Sequence, residues 1–285
     1  MTIRHRTARV DGLDIFYREA GDPAAPTFVL LHGYPTSSVG FAPLMAELAD
    51  EFHVIAPDYP GFGLSSAPPA EEWAYTFDHL ADVVGNLLDQ LGVRRYAIYV
   101  HDYGAPVGFR LALRGPERIT GIVSQNGNAY EEGLTDFWDP IRAYWADPEG
   151  HREAMRAQVT PEATRWQYHQ GVPDTSLVDP ALAVHDQAGL DRPGNQEIQL
   201  DLLLDYRTNP ARYPDWQEYL RVHQPPVLAA WGRHDEIFGP EGARAFARDA
   251  KDARVQLLDA GHFPLTTRFT QSAGLIRDFL RGLSD

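Results

Sequence analysis

The stretch Tyr96-Ala97-Ile98-Tyr99-Val100-His101-Asp102-Tyr103-Gly104-Ala105-Pro106-Val107-Gly108 limits what this chain can fold into more than any other part of it. Its first five residues are aromatic, aliphatic or small, a composition that suits a strand covered on both faces. Gly104 and Ala105 leave room for a sharp turn, and Pro106 carries the fixed φ favoured in the first turn of a helix. Asp102 falls at the corner. A side chain held there projects from the carboxyl edge of the sheet beside the positive end of the new helix, where a carboxylate is kept ionised. Two roles are open to it, a catalytic nucleophile or a plain cap for the helix that follows.

The chain on either side repeats the alternation of strand and helix. Residues 7–20 flank the turn signal Asp11-Gly12 and predict a hairpin. Residues 27–31 (TFVLL) predict a strand that runs into the polar loop His32-Gly33-Tyr34-Pro35-Thr36-Ser37-Ser38. Phe41, Leu44, Met45 and Leu48 recur at helical spacing, and residues 52–56 give the next strand. That order implies a parallel pair joined by a right-handed crossover. Residues 58–69 are a loop by their breakers. Leu80, Val83, Val84, Leu87 and Leu88 form one face of a helix over 77–91. After the corner at Asp102 come a helix to about Arg114 and a strand over 121–125.

Past Asn126 the character changes. Residues 127–224 are rich in Trp, Tyr, His and acidic side chains, with helical stretches and no buried-strand pattern, and too aromatic for a linker. The alternation then resumes, with strands over 227–231 and 255–258 and helices over 241–250 and 273–283. The expected organisation is one α/β domain, residues 1–126 and 225–285, with a helical cap of residues 127–224 inserted into it.

A chain of 285 residues with 44% hydrophobic content supports a domain of that size. The net charge of −15 argues against nucleic acid and anionic membranes as partners, and weakly against strongly anionic substrates. With no cysteine, a thiol nucleophile, a disulfide framework and a thiolate metal site are excluded. His234-Asp235-Glu236 is the nearest approach to metal-ligand spacing, and no metal or cofactor is expected. Met1-Thr2-Ile3-Arg4-His5-Arg6 is charged and leads into no apolar signal region, and no apolar run is long enough to span a bilayer. A cytoplasmic protein, monomer or homodimer, is expected.

Asp102 is one of three features that fall at the ends of predicted strands, where open α/β sheets build their sites. Asp235 follows residues 227–231, and His262 follows residues 255–258. Singly, His262 could be any of the 11 histidines and Asp235 a solvated loop charge. Together, in the order nucleophile, acid, histidine, they follow the order of an α/β-hydrolase triad.

The chain resembles the α/β-hydrolase superfamily, and within it the epoxide hydrolase and dehalogenase branch in which Asp replaces Ser as nucleophile. The resemblance covers essentially the whole chain. It is carried by His32-Gly33-Tyr34-Pro35, Asp58-Tyr59-Pro60-Gly61-Phe62-Gly63-Leu64-Ser65, His101-Asp102-Tyr103-Gly104, Trp231-Gly232-Arg233-His234-Asp235 and Gly261-His262-Phe263. It implies a mostly parallel twisted sheet with flanking helices and an inserted lid. It also implies an alkyl-enzyme ester at Asp102, hydrolysed by water that His262, oriented by Asp235, activates. The oxyanion of that second step would be held by the backbone N–H groups of Tyr34 and Tyr103.

Substrate class turns on the first step, since an epoxide oxygen needs a proton donor and a halide needs weak N–H donors. Tyr206, in Asp205-Tyr206-Arg207-Thr208-Asn209, resembles the lid Tyr-Arg motif of epoxide hydrolases, and Tyr144 is a weaker second candidate; each has a packing alternative, since lid helices need aromatic cores. His32 and Pro35 are taken with them as substrate contacts. Haloalkane dehalogenases place a Trp where Tyr103 stands, although Trp138, Trp145, Trp166 and Trp216 lie in the lid. Fluoroacetate-type enzymes follow the nucleophile with arginines, whereas the nearest downstream arginine here is Arg110. Epoxide hydrolysis to a vicinal diol is therefore the leading expectation, with carbon-halogen cleavage second and a small-molecule receptor on the same fold as the non-enzymatic alternative.

Overall fold

The computed structural model describes residues 2–283. Met1, Ser284 and Asp285, assigned above to the core segments, lie outside the described residues. The chain starts with a hairpin of β1 (Arg4–Val10) and β2 (Leu13–Ala20), which turns at Asp11 and Gly12 with φ of 50° and 81°. It continues through β3 (Thr27–Leu31), α1 (Ala42–Leu48), β4 (His53–Pro57), α2 (Phe77–Gln90), β5 (Tyr96–Val100), α3 (Gly104–Arg114) and β6 (Ile119–Ser124). Six helices follow: α4 (Asp139–Ala146), α5 (Pro148–Met155), α6 (Pro161–His169), α7 (Pro180–Leu190), α8 (Asn195–Asp205) and α9 (Thr208–His223). The chain then returns to β7 (Val227–Gly232), α10 (Pro240–Asp249), β8 (Ala253–Leu258), α11 (Pro264–Thr267) and α12 (Phe269–Arg281).

Among the described residues one eight-stranded sheet has the order β1-β2-β4-β3-β5-β6-β7-β8. The β1–β2 and β2–β4 pairs are antiparallel and the other neighbours parallel. The central strands are buried on both faces, and their side chains divide by parity. Val29, Leu31, Ile98 and Val100 join one core cluster with α2 and α3, while Phe28, Leu30, Ala97 and Tyr99 join another with α1 and α12. From β3 the chain moves outward to β4, then crosses back so that β5 lies on the other side of β3. The crevice beyond the carboxyl ends of β3 and β5 is the topological switch point, where such sheets bind ligands.

Most of the helical insertion shares the main core, while Tyr168, Val178 and Ala183 form a small cluster of their own against Phe263. Trp138, Ile141, Tyr144, Leu200 and Tyr206 belong to the cluster that holds the sheet face of α2 and α3. Arg110 of α3, with its side chain 3% exposed, donates to Asp78 of α2 and to Thr208 and Asn209 of α9, which pins the insertion's end to the sheet helices. Asp205 accepts the first N–H of α2, from Phe77, at 2.8 Å.

Candidate active site

The corner after β5 is strained and tightly built. Asp102 has φ of 49°, in the left-handed region that disfavours side chains with a Cβ. The corner closes only because its neighbours lack side chains: a Cβ on Gly33 would lie 2.3 Å from that of Asp102, and one on Gly104 would lie 2.1 Å from the Leu31 carbonyl oxygen. Val100, two residues before Asp102, is accommodated by Gly108 and Gly127, where an added Cβ would lie 2.5 Å from Val100 Cγ1 and 2.8 Å from its carbonyl oxygen. The backbone turns on His101 N–H donating to Leu31 and Asp102 N–H donating to Asn126.

The Asp102 carboxylate accepts from the backbone N–H of Tyr34 at 2.7 Å and from that of Tyr103. Those two groups converge on one point from the ends of β3 and β5. Burial pushes the Asp102 carboxyl up to about 6, against the lowering pull of His262 and the two amides.

His262 Nδ1 donates to Asp235 Oδ2 at 2.8 Å, and its Nε2 faces Asp102 Oδ2 at 3.8 Å with no hydrogen-bond partner of its own. Burial alone would hold the imidazole's affinity for a proton down. The charge and hydrogen bond of Asp235, then the charge of Asp102, outweigh burial and raise its pKa. Asp235 is fully buried and accepts three more hydrogen bonds: from Asn126 Nδ2 at 2.6 Å, Ile237 N–H at 2.8 Å and Gln170 Nε2 at 3.3 Å. The arrangement orients one imidazole nitrogen toward a buried carboxylate and fixes the tautomer at the other.

Asn126 and Gln170 are not among the expected site residues. Asn126, two residues past the end of β6, has φ of 53° and also accepts from Gly232 N–H at 3.0 Å, bridging two strand ends. It obeys the same strand-end rule that located the other three residues. Gln170 comes from the insertion, and the adjoining Gly171 passes so close to the loop after β7 that a Cβ would lie 2.0 Å from the His234 carbonyl oxygen.

A cavity of about 30 Å³ opens on Asp102. Tyr34 and Tyr103 line it together with Trp138, Gln167, Gln199 and Leu203 of the insertion segment. The four expected substrate contacts stand elsewhere. Tyr144 receives a hydrogen bond from Arg152 and donates to the Leu200 carbonyl, so its hydroxyl is committed within the insertion. His32 donates to the Gly33 carbonyl and accepts from Tyr59 N–H, with its ring stacked on Tyr59 at 4.1 Å; it braces the loop that aims Tyr34 N–H. Pro35 lines a separate cleft with Arg18, Asp58 and Asp186. Tyr206 is one layer back, its ring 4.4 Å from Trp138 and 5.8 Å from Tyr103. Its hydroxyl sits beside that of Tyr213 without completing a hydrogen bond.

The indole donors are turned away from the carboxylate as well. Trp138 gives its N–H to the Ile237 carbonyl and Trp145 gives its own to that of Leu203, both at 2.9 Å. Trp216 stacks on Phe109, and Trp166 stacks on Phe137 at the surface.

A parallel sheet that gathers a carboxylate, a histidine and a second carboxylate at its strand ends is the framework of a hydrolase. This chain belongs to the alpha/beta hydrolase fold family, whose model matches residues 26–269. The uncharacterized hydrolase YNR064C of Saccharomyces cerevisiae is 47% identical over 268 residues, 92% of each chain. Epoxide hydrolase A of Mycobacterium tuberculosis is 31% identical over 238 residues, 81% of this chain and 66% of its own. A haloalkane dehalogenase of Bradyrhizobium diazoefficiens is 32% identical over 155 residues, 54% of this chain and 48% of its own. The chain is thus a hydrolase whose relatives include enzymes named for epoxides and for haloalkanes. Among the described residues no helix is long and apolar enough to cross a membrane.

Proposed function

We infer that the protein hydrolyses a small, neutral epoxide to a vicinal diol through an ester on Asp102, with the helical insertion acting as a lid and the enzyme working in the cytoplasm. The observation that carries this reading is the buried carboxylate at the elbow, 3.8 Å from an imidazole nitrogen that has no other partner. A carboxylate suits displacement at an sp³ carbon, where no tetrahedral oxyanion forms in the first step.

In that step an Asp102 oxygen bonds to an epoxide carbon, the carbon-oxygen bond of the ring breaks, and its electron pair passes to the departing oxygen. That oxygen needs a proton. Of the two tyrosines in the cavity wall, Tyr34 spends its hydroxyl on the Gln158 carbonyl, which leaves Tyr103 as the donor. Burial and the charge of Asp102 hold the Tyr103 phenol protonated well above neutral pH. His262 Nε2 then takes a proton from water, and the resulting hydroxide adds to the ester carbonyl. The N–H groups of Tyr34 and Tyr103 hold the oxyanion. Collapse expels the second alkoxide, and the protons on His262 and on the regenerated carboxyl restore the diol and the Tyr103 phenol.

Carbon-halogen cleavage is the second reading. It draws on the dehalogenase relatives; the indole N–H groups of Trp138 and Trp145 are committed to carbonyls, so a halide at Asp102 would rest on carboxamide N–H donors such as that of Gln199. Intact mass of His262→Gln after incubation with epoxides and with haloalkanes separates the two. Gain of a whole epoxide supports the leading reading, and gain of an alkyl group without its halide supports the second. Asp102→Ala that still hydrolyses epoxide, with the fold intact by circular dichroism, sinks both.

A further inference from the structure

Gln199 of α8 lines the cavity at Asp102, is 2% exposed, and has no hydrogen-bond partner for either its Oε1 or its Nε2. The three charged residues of its own helix are engaged elsewhere, Glu197 and Asp201 pairing with Arg152 and Asp205 accepting from Phe77 N–H. Gln167 of α6, 4% exposed, presents a second carboxamide to the same cavity. Apart from Gln158, whose backbone carbonyl accepts the Tyr34 hydroxyl, the remaining wall contributed by the insertion segment is apolar: Phe137, Trp138, Ile141, Val159 and Leu203. A buried amide left unpaired on both sides lowers stability, so native proteins seldom keep one that nothing pairs with.

Resting on the reading of Asp102 as nucleophile, we propose that Gln199 is a specificity-determining residue. It selects short, uncharged epoxides that carry a carboxamide next to the ring. A carboxamide is the full complement of another carboxamide, because each offers an N–H donor and a carbonyl acceptor and the pair closes two reciprocal hydrogen bonds. A carboxylate substituent would return only acceptors, and would do so beside the negative charge of Asp102. A cavity of about 30 Å³ holds little more than a water molecule, so a short substituent asks for the least outward movement of the insertion. Gln167 completes the recognition from the facing helix, where its amide can meet the substituent's free N–H or lone pair.

The test compares kcat/KM for 2,3-epoxypropanamide and 1,2-epoxybutane, two epoxides of nearly equal size. The wild type is expected to favour the amide by roughly tenfold or more, and Gln199→Leu to lose most of that ratio. Gln199→Leu also removes an unpaired buried amide, so its Tm is expected to equal or exceed that of the wild type, which separates lost recognition from lost folding. An unchanged ratio in Gln199→Leu overturns the proposal. If the wild type hydrolyses neither epoxide, the reading of the enzyme as an epoxide hydrolase fails on its own. Calorimetric binding of unreactive butanamide then decides the role of Gln199: tenfold weaker binding in Gln199→Leu supports it, and equal binding overturns it.

Discussion

Asn126 and Asp235, 109 residues apart in sequence, meet at 2.6 Å through the amide of one and the carboxylate of the other. The same Asn126 side chain accepts the N–H of Gly232, so one residue just past the end of β6 fixes both the strand and the acid of its neighbour β7. Removing it leaves His262 with a less well-anchored partner. In Asn126→Ala and Asn126→Gly, hydrolysis of the ester is expected to slow by about ten- to a hundredfold, while ester formation changes little. Quenched-flow mass spectrometry of the wild-type and variant proteins reads both steps. Because φ at this position is 53°, the Ala variant alone carries backbone strain, and its stability is expected to fall about 1 kcal/mol below that of the Gly variant. Equal ester lifetimes in variants and wild type would show that Asn126 does not act through Asp235.

In the proposed mechanism the ionised form of Asp102 attacks, and burial places its pKa at about 6. The rate of ester formation is therefore expected to fall about tenfold per pH unit below that value and to level off above it. His262 pulls the Asp102 pKa down. In His262→Gln that pull is gone, so the inflection is expected at higher pH than in the wild type. Ester accumulation in single-turnover experiments from pH 4.5 to 8.5 measures both curves; a flat profile over that range would contradict the assignment.

Two tyrosines separate the geometry from the family pattern. Tyr103 lines the cavity, whereas Tyr206 packs behind it with an unpaired hydroxyl. Tyr103→Phe is expected to slow ring opening by about a hundredfold, and Tyr206→Phe to leave it within about threefold while slightly raising stability, since an unpaired buried hydroxyl is lost. The opposite ranking in pre-steady-state rates would return the proton donor to the lid.

Arg110 distinguishes a structural cation from a substrate clamp. Its guanidinium is buried and fully engaged with Asp78, Thr208 and Asn209. Arg110→Ala, which strands the Asn209 and Thr208 acceptors between packed helices, is expected to cost about 3 kcal/mol in urea denaturation. At temperatures where that variant remains folded, KM is expected to stay near the wild-type value. A large rise in KM without loss of stability would instead make Arg110 a ligand contact.

The parts of the site legible in the sequence were those that depend on the chain's own local code. The alternation of β3 through β6, the Gly-Ala-Pro helix start after Asp102 and the strand-end positions of Asp235 and His262 follow from periodicity and breakers. The parity that divides Val29 from Phe28 between two cores is the same signal. Helix α12 begins at Phe269, four residues before the expected start, because Ser272, with Ala273 and Ile276, is buried against the sheet where polarity alone suggested a loop. The cavity wall was less legible. Which face of α6 or α8 turns inward is set by packing among the insertion helices, α6 on α7 and α8 on α4, α5 and α7, and not by a hydrophobic stripe within the helix, so Gln167 and Gln199 carry no signal. Tyr144 looked available only because its partner Arg152 lies a full helix away in sequence. His32 and Pro35 belong to a motif that serves the site through the backbone of Tyr34.

Gln170 gives the insertion a second consequence. Its amide reaches Asp235, and the close passage of Gly171 over the His234 carbonyl holds it there. The acid that tunes the base is thus completed by a segment that is not part of the sheet. In the proposed mechanism, a substrate that propped the insertion outward would withdraw that hydrogen bond and loosen the carboxylate that orients His262 while the ester is still bound. Ester lifetime would then depend on how well the spent substrate lets the insertion settle, and substitutions around residue 170 could change turnover for bulky substrates and spare small ones. Under that mechanism, selectivity would be exercised partly after the covalent bond has formed.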